Sequence, residues 1–399
     1  MPSVIQRIGE TERKYVLDVL ADGFSSATGA KYMTKLESAF AEKYGSKFAV
    51  SFVNGTATLH AALEAAGIGC KDEVIVPPLT MSSTSLAVLH ANATPVFADI
   101  DPKTFLIEPQ SIKEKITPQT KAIITVALYG LSPDMDPIID IAKKHNLIVI
   151  EDNAQAFLSY YKGKLAGTIG KSASFSFQSS KHMTSGEGGI VITDDEEYAL
   201  RIRKFSGLGY STLSSKKARI TKDEIQHPSF ERHDFLGWNY RMPELCCACA
   251  LGQLEHLDEL IEVRKKSAKI LREAIGTCTW LVPQYVSDQY IHSYWTLACK
   301  LVPDTIAWDD FREKFLSLGG HKFYGAWQLT YLEPLFLQRK FATRDRFISQ
   351  NYQKGLCPVA EVTQPYLLQF KTNFWNLEDA EKQADVLHKT IRYFDGGKT

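Results

Sequence analysis

Residues 147–156 read LIVIEDNAQA, and residues 172–193 read SASFSFQSSKHMTSGEGGIVIT. The first stretch opens with a continuous apolar run, which is typical of a strand buried on both faces of a parallel sheet. The second stretch contains two tracts, 173–177 and 189–193, that we interpret as two further strands. Asp152 follows the first run directly, and open α/β sheets bind their ligands outside the carboxyl ends of the strands. The two stretches therefore predict an α/β fold with an acidic residue at its ligand-binding edge.

The same alternation of strands and helices extends outward through much of the chain. From about residue 45, short apolar runs are separated by segments with apolar residues at helical spacing. Continuous apolar strands separated by helices favour a mostly parallel sheet with both faces covered. Before Asp152 the predicted strands are 48–53, 73–76, 95–100, 121–128 and 147–151, and the predicted helices are 57–66, 83–90 and 137–144.

The pattern changes after about residue 240. There we predict a long amphipathic helix with Leu254, Leu257 and Ile261 on its apolar face. Beyond it we predict a strand and two helices, at 294–301, 308–318 and 377–393. A chain of 399 residues is expected to form two domains. We place a large domain at residues 1–250 and a smaller α+β domain at residues 251–399, which includes the connecting helix.

The charge balance of the chain argues against one broad class of function. Lys and Arg number 46, and Asp and Glu also number 46, so no net field steers nucleic acid or an anionic membrane to the protein. The N-terminal sequence lacks the features of a signal peptide, and no window approaches the roughly 18 apolar residues of a membrane helix. We therefore expect a cytoplasmic protein that binds neither nucleic acid nor membrane.

The cysteine content also favours a cytoplasmic protein. Seven cysteines, an odd number in a chain of this length, fit reduced thiols in a cytoplasm better than disulfides. Cys246, Cys247 and Cys249 cluster on a predicted helix but lack the CxxC spacing of a zinc site. We interpret them as small packing residues near a helix contact, and we expect no metal site.

Lys181 is a lone lysine among Ser, Thr and Gly residues, directly after a predicted buried strand. An amine that forms a Schiff base needs a depressed pKa, so that its free base is available. Apolar and hydroxyl-bearing surroundings favour such a shift. Taken alone, however, a lysine of this kind is more often a surface residue in a polar loop.

Two further features complement such a lysine. Asp152 can supply the anion that keeps a pyridinium nitrogen protonated, although alone it equally fits a helix N-cap or a solvated turn. Asn54-Gly55-Thr56 follows a predicted strand and opens a predicted helix. The N–H groups at a helix start bind phosphate, and glycine lets the backbone approach closely. Alone, this tripeptide is more often a plain strand-to-helix turn.

The order of these features along the chain is more specific than any one of them. VSFVNGTATLHAAL, PVFADIDP, LYGLSPDMDPI, VIEDNAQA, FSFQSSKHMTSGEGG, and GWNYRMPE followed by GQLEHLDELI occur in that order. Together they resemble the DegT-type (StrS-like) sugar aminotransferases, which use pyridoxal 5′-phosphate (PLP), from about Lys47 to Arg264. The resemblance implies fold type I, with a mostly parallel central sheet in a large domain and a smaller α+β C-terminal domain.

The resemblance also implies a role for individual residues. Lys181 matches the lysine that binds the cofactor's aldehyde and later moves the α-proton. Asp152 matches the partner of the pyridine nitrogen, and Gln155 matches the residue that reaches the ring hydroxyl. The matches to phosphate contacts are Gly55, Thr56 and Ser176.

One match implies a second subunit. Asn239, in the polar loop 237–244, matches a residue that in this family reaches the phosphate of the neighbouring subunit. The resemblance therefore implies an obligate homodimer with two shared active sites. Taken alone, this loop fits a simple connection between domains.

Departures from the family's pattern bear on the substrate. Met81 follows Thr80 where the family often has an aromatic residue on the cofactor ring, so a thioether is expected to cover the ring. Residues 325–331, GAWQLTY, stand near the place of a Pro-Leu-His stretch found in many nucleotide-sugar members. An extra polar segment at 211–232 is expected to form a surface excursion. An acceptor other than a common nucleotide-linked hexose therefore stays open.

The function that the resemblance implies is transfer of an amino group from glutamate, or glutamine, to a keto-sugar in amino-sugar biosynthesis. An aminotransferase for a cyclitol or another non-nucleotide ketone shares every cofactor residue. A 3-dehydratase of related fold has histidine in the lysine's place, which would require His182 rather than Lys181. A non-catalytic protein on this scaffold is expected to lose Lys181 or Asp152, and both are present.

Overall fold

The computed structural model describes residues 5–24, 31–216 and 226–396. Its helices are α1 (Glu10–Ala21), α2 (Lys31–Tyr44), α3 (Gly55–Ala65), α4 (Ser83–His90), α5 (Pro109–Lys115), α6 (Met135–His145), α7 (Glu196–Ser206), α8 (Glu244–Glu255), α9 (Leu257–Ile275), α10 (Trp308–Ser317), α11 (Pro334–Leu337), α12 (Pro358–Thr363) and α13 (Leu377–Phe394). Its strands are β1 (Phe48–Phe52), β2 (Glu73–Val76), β3 (Thr94–Phe97), β4 (Thr120–Val126), β5 (Ile148–Asp152), β6 (Tyr160–Tyr161), β7 (Lys164–Leu165), β8 (Ser172–Ser176), β9 (Gly189–Thr193), β10 (Leu281–Pro283), β11 (Tyr290–Ile291), β12 (Thr296–Leu301), β13 (Tyr324–Gly325) and β14 (Leu367–Lys371).

The central sheet has seven strands in the order β1-β9-β8-β5-β4-β2-β3. β9 runs antiparallel to both of its neighbours, and the other adjacent pairs are parallel. The predicted mostly parallel sheet is therefore confirmed. Because β1, β8, β5 and β4 all run in one direction, their carboxyl ends meet at one edge of the sheet.

Helices cover both faces of this sheet. Successive residues of a strand point to opposite faces, so neighbouring side chains pack against different helices. Ile75 and Ile123 pack against α5 and α6, whereas Val74 and Ile124 pack against α3 and α4. The strands β1, β9 and β8 pack on their other side against α2 and α8. Residues 329–360 return from the C-terminal part of the chain and pack in the same cluster as α3 and α4. Burial on both faces explains why the central strands are continuous apolar runs in the sequence.

A second sheet lies in the C-terminal part of the chain. Its four strands follow the order β10-β12-β14-β13, and all its pairs are antiparallel. α9, α10 and α13 pack against it through side chains such as Leu271, Phe311 and Leu387. The expected α+β character of this part is present, while the domain boundary at residue 250 stays a prediction.

The prediction of one long connecting helix is wrong in one respect, because the helix is broken at His256. α8 ends at Glu255, and α9 begins at Leu257. At the break, His256 Nε2 lies 3.1 Å from Glu12 Oε1 of α1. The apolar spacing through Leu254 continues across the break and conceals it in the sequence.

The polar segment 211–232 is described only at its two ends, and residues 217–225 lie outside the described residues. The Ser211 N–H donates to the carbonyl of Arg232 at 2.8 Å, and Tyr210 forms a β-bridge with His233. The two described ends of this segment therefore lie next to each other. None of the described helices combines the length and apolar character needed to cross a membrane.

Candidate active site

A cavity of about 330 Å³ opens at the carboxyl ends of β1, β4, β5 and β8. All but one of the predicted cofactor residues line it, namely Gly55, Thr56, Met81, Asp152, Gln155, Ser176 and Lys181. Asn239 does not line it, and its side chain is exposed. A larger groove of about 690 Å³, beside Asp101 and Tyr285, contains none of the predicted residues. The sequence-based prediction therefore selects the smaller cavity.

The start of α3 forms one end of the cavity. Asn54 precedes the helix in an extended conformation, and its side-chain oxygen accepts the Ala57 N–H at 2.9 Å. The N–H groups of Gly55 and Thr56 precede the first intrahelical hydrogen bond, so they are available to an anion. A Cβ at Gly55 would stand 2.9 Å from the Cβ of Ser176, at the end of β8. Glycine thus lets the helix start and the strand end meet in a cradle suited to a phosphate.

Asp152 is the last residue of β5, and it is buried at the cavity wall. Its Oδ2 accepts the Thr84 hydroxyl of α4 at 2.9 Å, and its Oδ1 accepts the Ala154 N–H at 3.2 Å. Burial raises the pKa of Asp152, while these two hydrogen bonds and nearby Lys181 oppose the rise. A cation bound in the cavity would favour the ionised form, so the carboxylate is suited to pair with a positively charged ring nitrogen.

The preceding residue, Glu151, points away from the cavity. Its Oε1 accepts the N–H groups of Ile169 and Gly170 at 2.8 and 2.6 Å, and its Oε2 accepts that of Gly167 at 2.7 Å. All three N–H groups belong to the segment between β7 and β8. Glu151 and Asp152 lie on opposite sides of β5, because successive residues of a strand alternate. Glu151 therefore holds the loop before β8, while Asp152 faces the cavity.

Lys181 lies in the loop between β8 and β9, and the residues after it are anchored. His182, Met183 and Thr184 are buried. The Thr184 hydroxyl donates to the carbonyl of Phe177 at 2.9 Å, which ties the two arms of the loop together. This anchoring leaves the side chain of Lys181 at the cavity wall.

The environment of Lys181 raises the fraction of its amine that is unprotonated at neutral pH. Burial lowers the pKa of Lys181 to about 8, with Asp152 and Glu187 opposing the shift and Arg264 adding to it. Roughly a tenth of such amines are unprotonated at pH 7, against a few in ten thousand for an ordinary lysine. The lysine therefore has the depressed pKa that a nucleophilic amine requires.

Gln155 is oriented by a backbone group. Its side-chain oxygen accepts the N–H of Tyr129 at 2.8 Å. Tyr129 is fully buried in a left-handed conformation, with φ of 65°. Residues other than glycine adopt that conformation where the surrounding structure enforces it, often at functional sites. With its oxygen engaged, Gln155 has its amide N–H₂ available as a donor, which suits a ring oxygen.

Several wall residues have no sequence motif that would have identified them. Trp295 and Trp327 come from the C-terminal part of the chain, with their ring centroids 6.2 Å apart and their planes at 29°. Lys181 Nζ lies 4.9 Å from the ring centroid of Trp295, within cation–π range. The Trp295 indole N–H donates to the carbonyl of Ser180 at 2.8 Å. Other wall residues outside the predicted set are Asn54, Leu59, Thr80, Ser83, Val126, Ala154, Gln178, Ser180 and Glu187.

His182 does not line the cavity. Its ring is fully buried, with Nε2 3.0 Å from the carbonyl oxygen of Ser293 and the ring of Phe157 at 5.6 Å. Burial holds the pKa of His182 well below its ordinary value. The side chain that this loop presents to the cavity is therefore lysine, which does not fit a dehydratase that uses histidine there.

The residues around the cavity fit PLP. A phosphate fits the cradle at the start of α3, a protonated ring nitrogen fits Asp152, and an aldehyde fits the amine of Lys181. The three lie around one cavity at the ligand-binding edge of an α/β sheet. This combination defines a PLP-dependent enzyme.

Comparisons with known proteins give the family. The profile of the DegT/DnrJ/EryC1/StrS aminotransferase family matches residues 6–366, and the chain belongs to this family. GDP-perosamine synthase of Escherichia coli O157:H7 is 39% identical over 287 residues, which are 72% of this chain and 74% of that protein. A candidate L-glutamine:3-amino-2,3-dideoxy-scyllo-inosose aminotransferase of Streptoalloteichus tenebrarius is 37% identical over 67% of this chain and 62% of its own length. The X-ray structure of an aminotransferase from Psychrobacter cryohalolentis is 30% identical, with a TM-score of 0.84 over 98% of this chain and 97% of that one.

Family membership confirms the predicted fold class and the predicted enzyme class, a PLP-dependent aminotransferase. The family match extends beyond the stretch from Lys47 to Arg264 that carried the resemblance in the sequence. In the described chain, no group of three or more His, Cys, Asp or Glu side chains is arranged to hold a metal ion. The roles of the individual site residues stay predictions.

Proposed function

We propose that this protein transfers an amino group from glutamate to a keto-sugar carried by a nucleotide. The observation that carries the proposal is the pair formed by Lys181, whose pKa is lowered to about 8, and the buried Asp152 on the wall of the same cavity. One relative is a GDP-perosamine synthase, and GDP-perosamine is a nucleotide-linked sugar. This similarity supports a nucleotide-linked acceptor.

The side chains of the cavity divide the work of the proposed reaction. PLP, when bound, supplies an electron sink that allows an amine to lose its α-proton. Lys181 Nζ would take that proton from the α-carbon of the amino donor and deliver it to the C4′ carbon of the cofactor, and it would make the reverse transfer for the acceptor. Asp152 would keep the ring nitrogen of the cofactor protonated, and the Gln155 amide would donate to a ring oxygen. The proposed phosphate contacts are Gly55, Thr56 and Ser176.

The acceptor is proposed to bind between Met81 and the two indoles. Met81 is 48% exposed at the cavity wall, and we propose that its thioether covers the ring of the cofactor. Trp295 and Trp327 offer apolar faces at the wall contributed by the C-terminal part of the chain. Aromatic faces of this kind suit the apolar face of a sugar ring or a nucleobase.

We expect the purified protein to release 2-oxoglutarate from glutamate when a nucleotide-linked keto-sugar is present. The same sugar without its nucleotide is expected to react with a kcat/KM lower by about 10²-fold, because binding energy from remote parts of a substrate contributes to the rate. The assay compares glutamate with glutamine, and the two sugars with a cyclic polyol ketone. Amination of the polyol ketone alone would refute the nucleotide-sugar proposal and leave the aminotransferase class intact.

We further propose that two copies of the chain complete each other's active sites. Asn239 is exposed in this chain and lies close to Leu236 and Trp238, which are 89% and 50% exposed. Its backbone forms a β-bridge with Gly207, which fixes the loop against α7. Exposed apolar side chains around a polar one are typical of a protein–protein contact. This arrangement supports a partner's cavity as the destination of Asn239.

A complementation experiment tests the shared site. Lys181→Ala and Asn239→Ala are each expected to lower activity, and a mixture with exchanged subunits is expected to regain about a quarter of the wild-type rate. Half of the dimers are then mixed, and each mixed dimer has one intact site. If mass spectrometry shows mixed dimers while the rate stays at the level of the two variants, Asn239 serves the site of its own chain.

The cysteines bear on the compartment. All seven are free, and three of them, Cys247, Cys299 and Cys357, are buried. Free thiols persist in reducing compartments. We therefore propose a cytoplasmic location.

A further inference from the structure

Arg264, in α9, is a fully buried side chain next to the Lys181 loop, and the proposed chemistry gives it no role. It is 1% exposed. Its guanidinium donates to the carbonyl oxygens of Lys181 at 3.0 Å, Ser180 at 3.2 Å and Trp295 at 2.8 Å. The side chain of Arg264 thus binds the main chain of Lys181 and the main chain of Trp295.

The charge of Arg264 is not neutralised nearby. No carboxylate in the described part of the chain forms an ion pair with it, and its Nε has no hydrogen-bond partner there. Arg7 also donates to the carbonyl of Lys181, at 3.1 Å, so a second guanidinium approaches the same oxygen. Burial, with the charge of Arg7, lowers the pKa of Arg264, but a guanidinium stays protonated across the neutral pH range. Buried charges are normally paired, so an unpaired guanidinium behind a reactive lysine calls for an explanation.

We propose that Arg264 is a positioning residue: it fixes the main chain of Lys181 and holds an unneutralised positive charge against that main chain, near the amine. The inference rests on the proposed role of Lys181 and is independent of the acceptor. Main-chain hydrogen bonds to residues 180 and 181 restrict where the side chain starts. A neighbouring positive charge disfavours the protonated amine.

The other groups that face Lys181 act in the opposite direction. Asp152 from β5 and Glu187 from the loop of the lysine itself both favour the protonated amine. The ring of Trp295, 4.9 Å from Nζ, also favours a cation. Arg264 is a nearby positive charge, and it disfavours the protonated amine. Together with burial, it offsets the carboxylates and keeps the amine reactive.

The test is the pH dependence of Lys181 acylation in the full-length protein after removal of PLP. Trace acetic anhydride labels free amines, and mass spectrometry quantifies the peptide that contains residue 181. The wild-type midpoint is expected near pH 8. Arg264→Gln is expected to raise it by about one unit, because the positive charge that disfavours the protonated amine is removed. Labelling at pH 8 would then fall by about fivefold.

The conservative variant separates charge from structure. Arg264→Lys keeps the charge but loses hydrogen bonds, so its midpoint is expected within about 0.3 units of wild type, although its thermal stability falls. If Arg264→Gln keeps the wild-type midpoint, or if Arg264→Lys moves it as far as Arg264→Gln does, the proposed effect of the charge is refuted. Arg264→Met is a second neutral variant for the case in which Arg264→Gln does not fold.

A control addresses loss of stability in general. Arg203 is another buried arginine, but it is paired with Glu37 at 2.7 Å. Arg203→Lys is expected to lower thermal stability and leave the midpoint unchanged. A wild-type midpoint near 10.5 would instead contradict the proposed role of Lys181 itself, and a change of acceptor would leave all these results unaffected.

Discussion

Replacement of Lys181 by alanine is expected to lower the rate of amino transfer by about 10⁴-fold or more. The effect is large because one amine both captures the cofactor and moves the proton. Borohydride reduction of the wild-type protein is expected to attach PLP covalently to the peptide that contains residue 181. In the variant, mass spectrometry is expected to find no label on that peptide.

The Lys181→Ala result has a matched control and a rescue. Lys121→Ala removes an exposed lysine near the start of β4, away from the cavity, and is expected to keep full activity. Alanine at position 181 leaves space at the cavity wall, so an added small primary amine is expected to restore part of the proton transfer. Covalent PLP on another lysine of the wild-type protein would show that Lys181 is not the reactive residue.

The strands and helices of the large domain could be predicted because their apolar pattern is local. The predicted strand at 73–76 and helix at 83–90 have the bounds of β2 and α4. Strand 189–193 likewise matches β9, but its antiparallel direction was not predicted. Strand direction depends on which neighbours pair, and pairing is a contact between distant segments.

The candidate site was predictable where a residue ends a strand or follows it closely. Asp152 and Ser176 are the last residues of β5 and β8, so the sheet itself delivers them to one edge. Thr84 and Arg264 reach their partners across 68 and 83 residues of chain. Such contacts leave no local spacing in the sequence, so these two residues were found only in the structure.

Trp295 was missed for a related reason. In the sequence it lies within a predicted strand, 294–301, where an aromatic residue is ordinary. In the structure β12 begins only at Thr296, so Trp295 precedes the strand and lines the cavity. A shift of two residues at a strand end thus turned a core residue into a site residue.

The second large effect is expected from Asp152→Asn, with a loss of activity of about 10²–10³-fold. A neutral amide cannot hold a neighbouring ring nitrogen in its protonated form, whereas the carboxylate can. The fold is expected to tolerate the change. The amide oxygen still accepts the Ala154 N–H, and the amide N–H₂ donates to the Thr84 hydroxyl, which can also accept.

Glu151→Gln is the matched control, because it makes the same chemical change one residue earlier in β5. The glutamine N–H₂ cannot accept the Gly167 N–H that Glu151 Oε2 accepts at 2.7 Å. We expect a loss of about 2–3 kcal/mol of stability, since a buried donor loses its acceptor. Thermal unfolding of the cofactor-free protein isolates this effect, because a bound cofactor adds stability of its own.

The two variants are expected to show that Glu151 contributes to stability and that its neighbour Asp152 contributes to catalysis. An amide at position 152 keeps both hydrogen bonds, so neutralisation there only relieves the cost of a buried charge and is expected to keep or raise the unfolding midpoint. Glu151 contributes to the folded loop, and its variant is expected to react at nearly the wild-type rate once folded. If Asp152→Asn loses stability while keeping its rate, the carboxylate at the end of β5 supports the fold, and the ring nitrogen must find its partner elsewhere in the cavity.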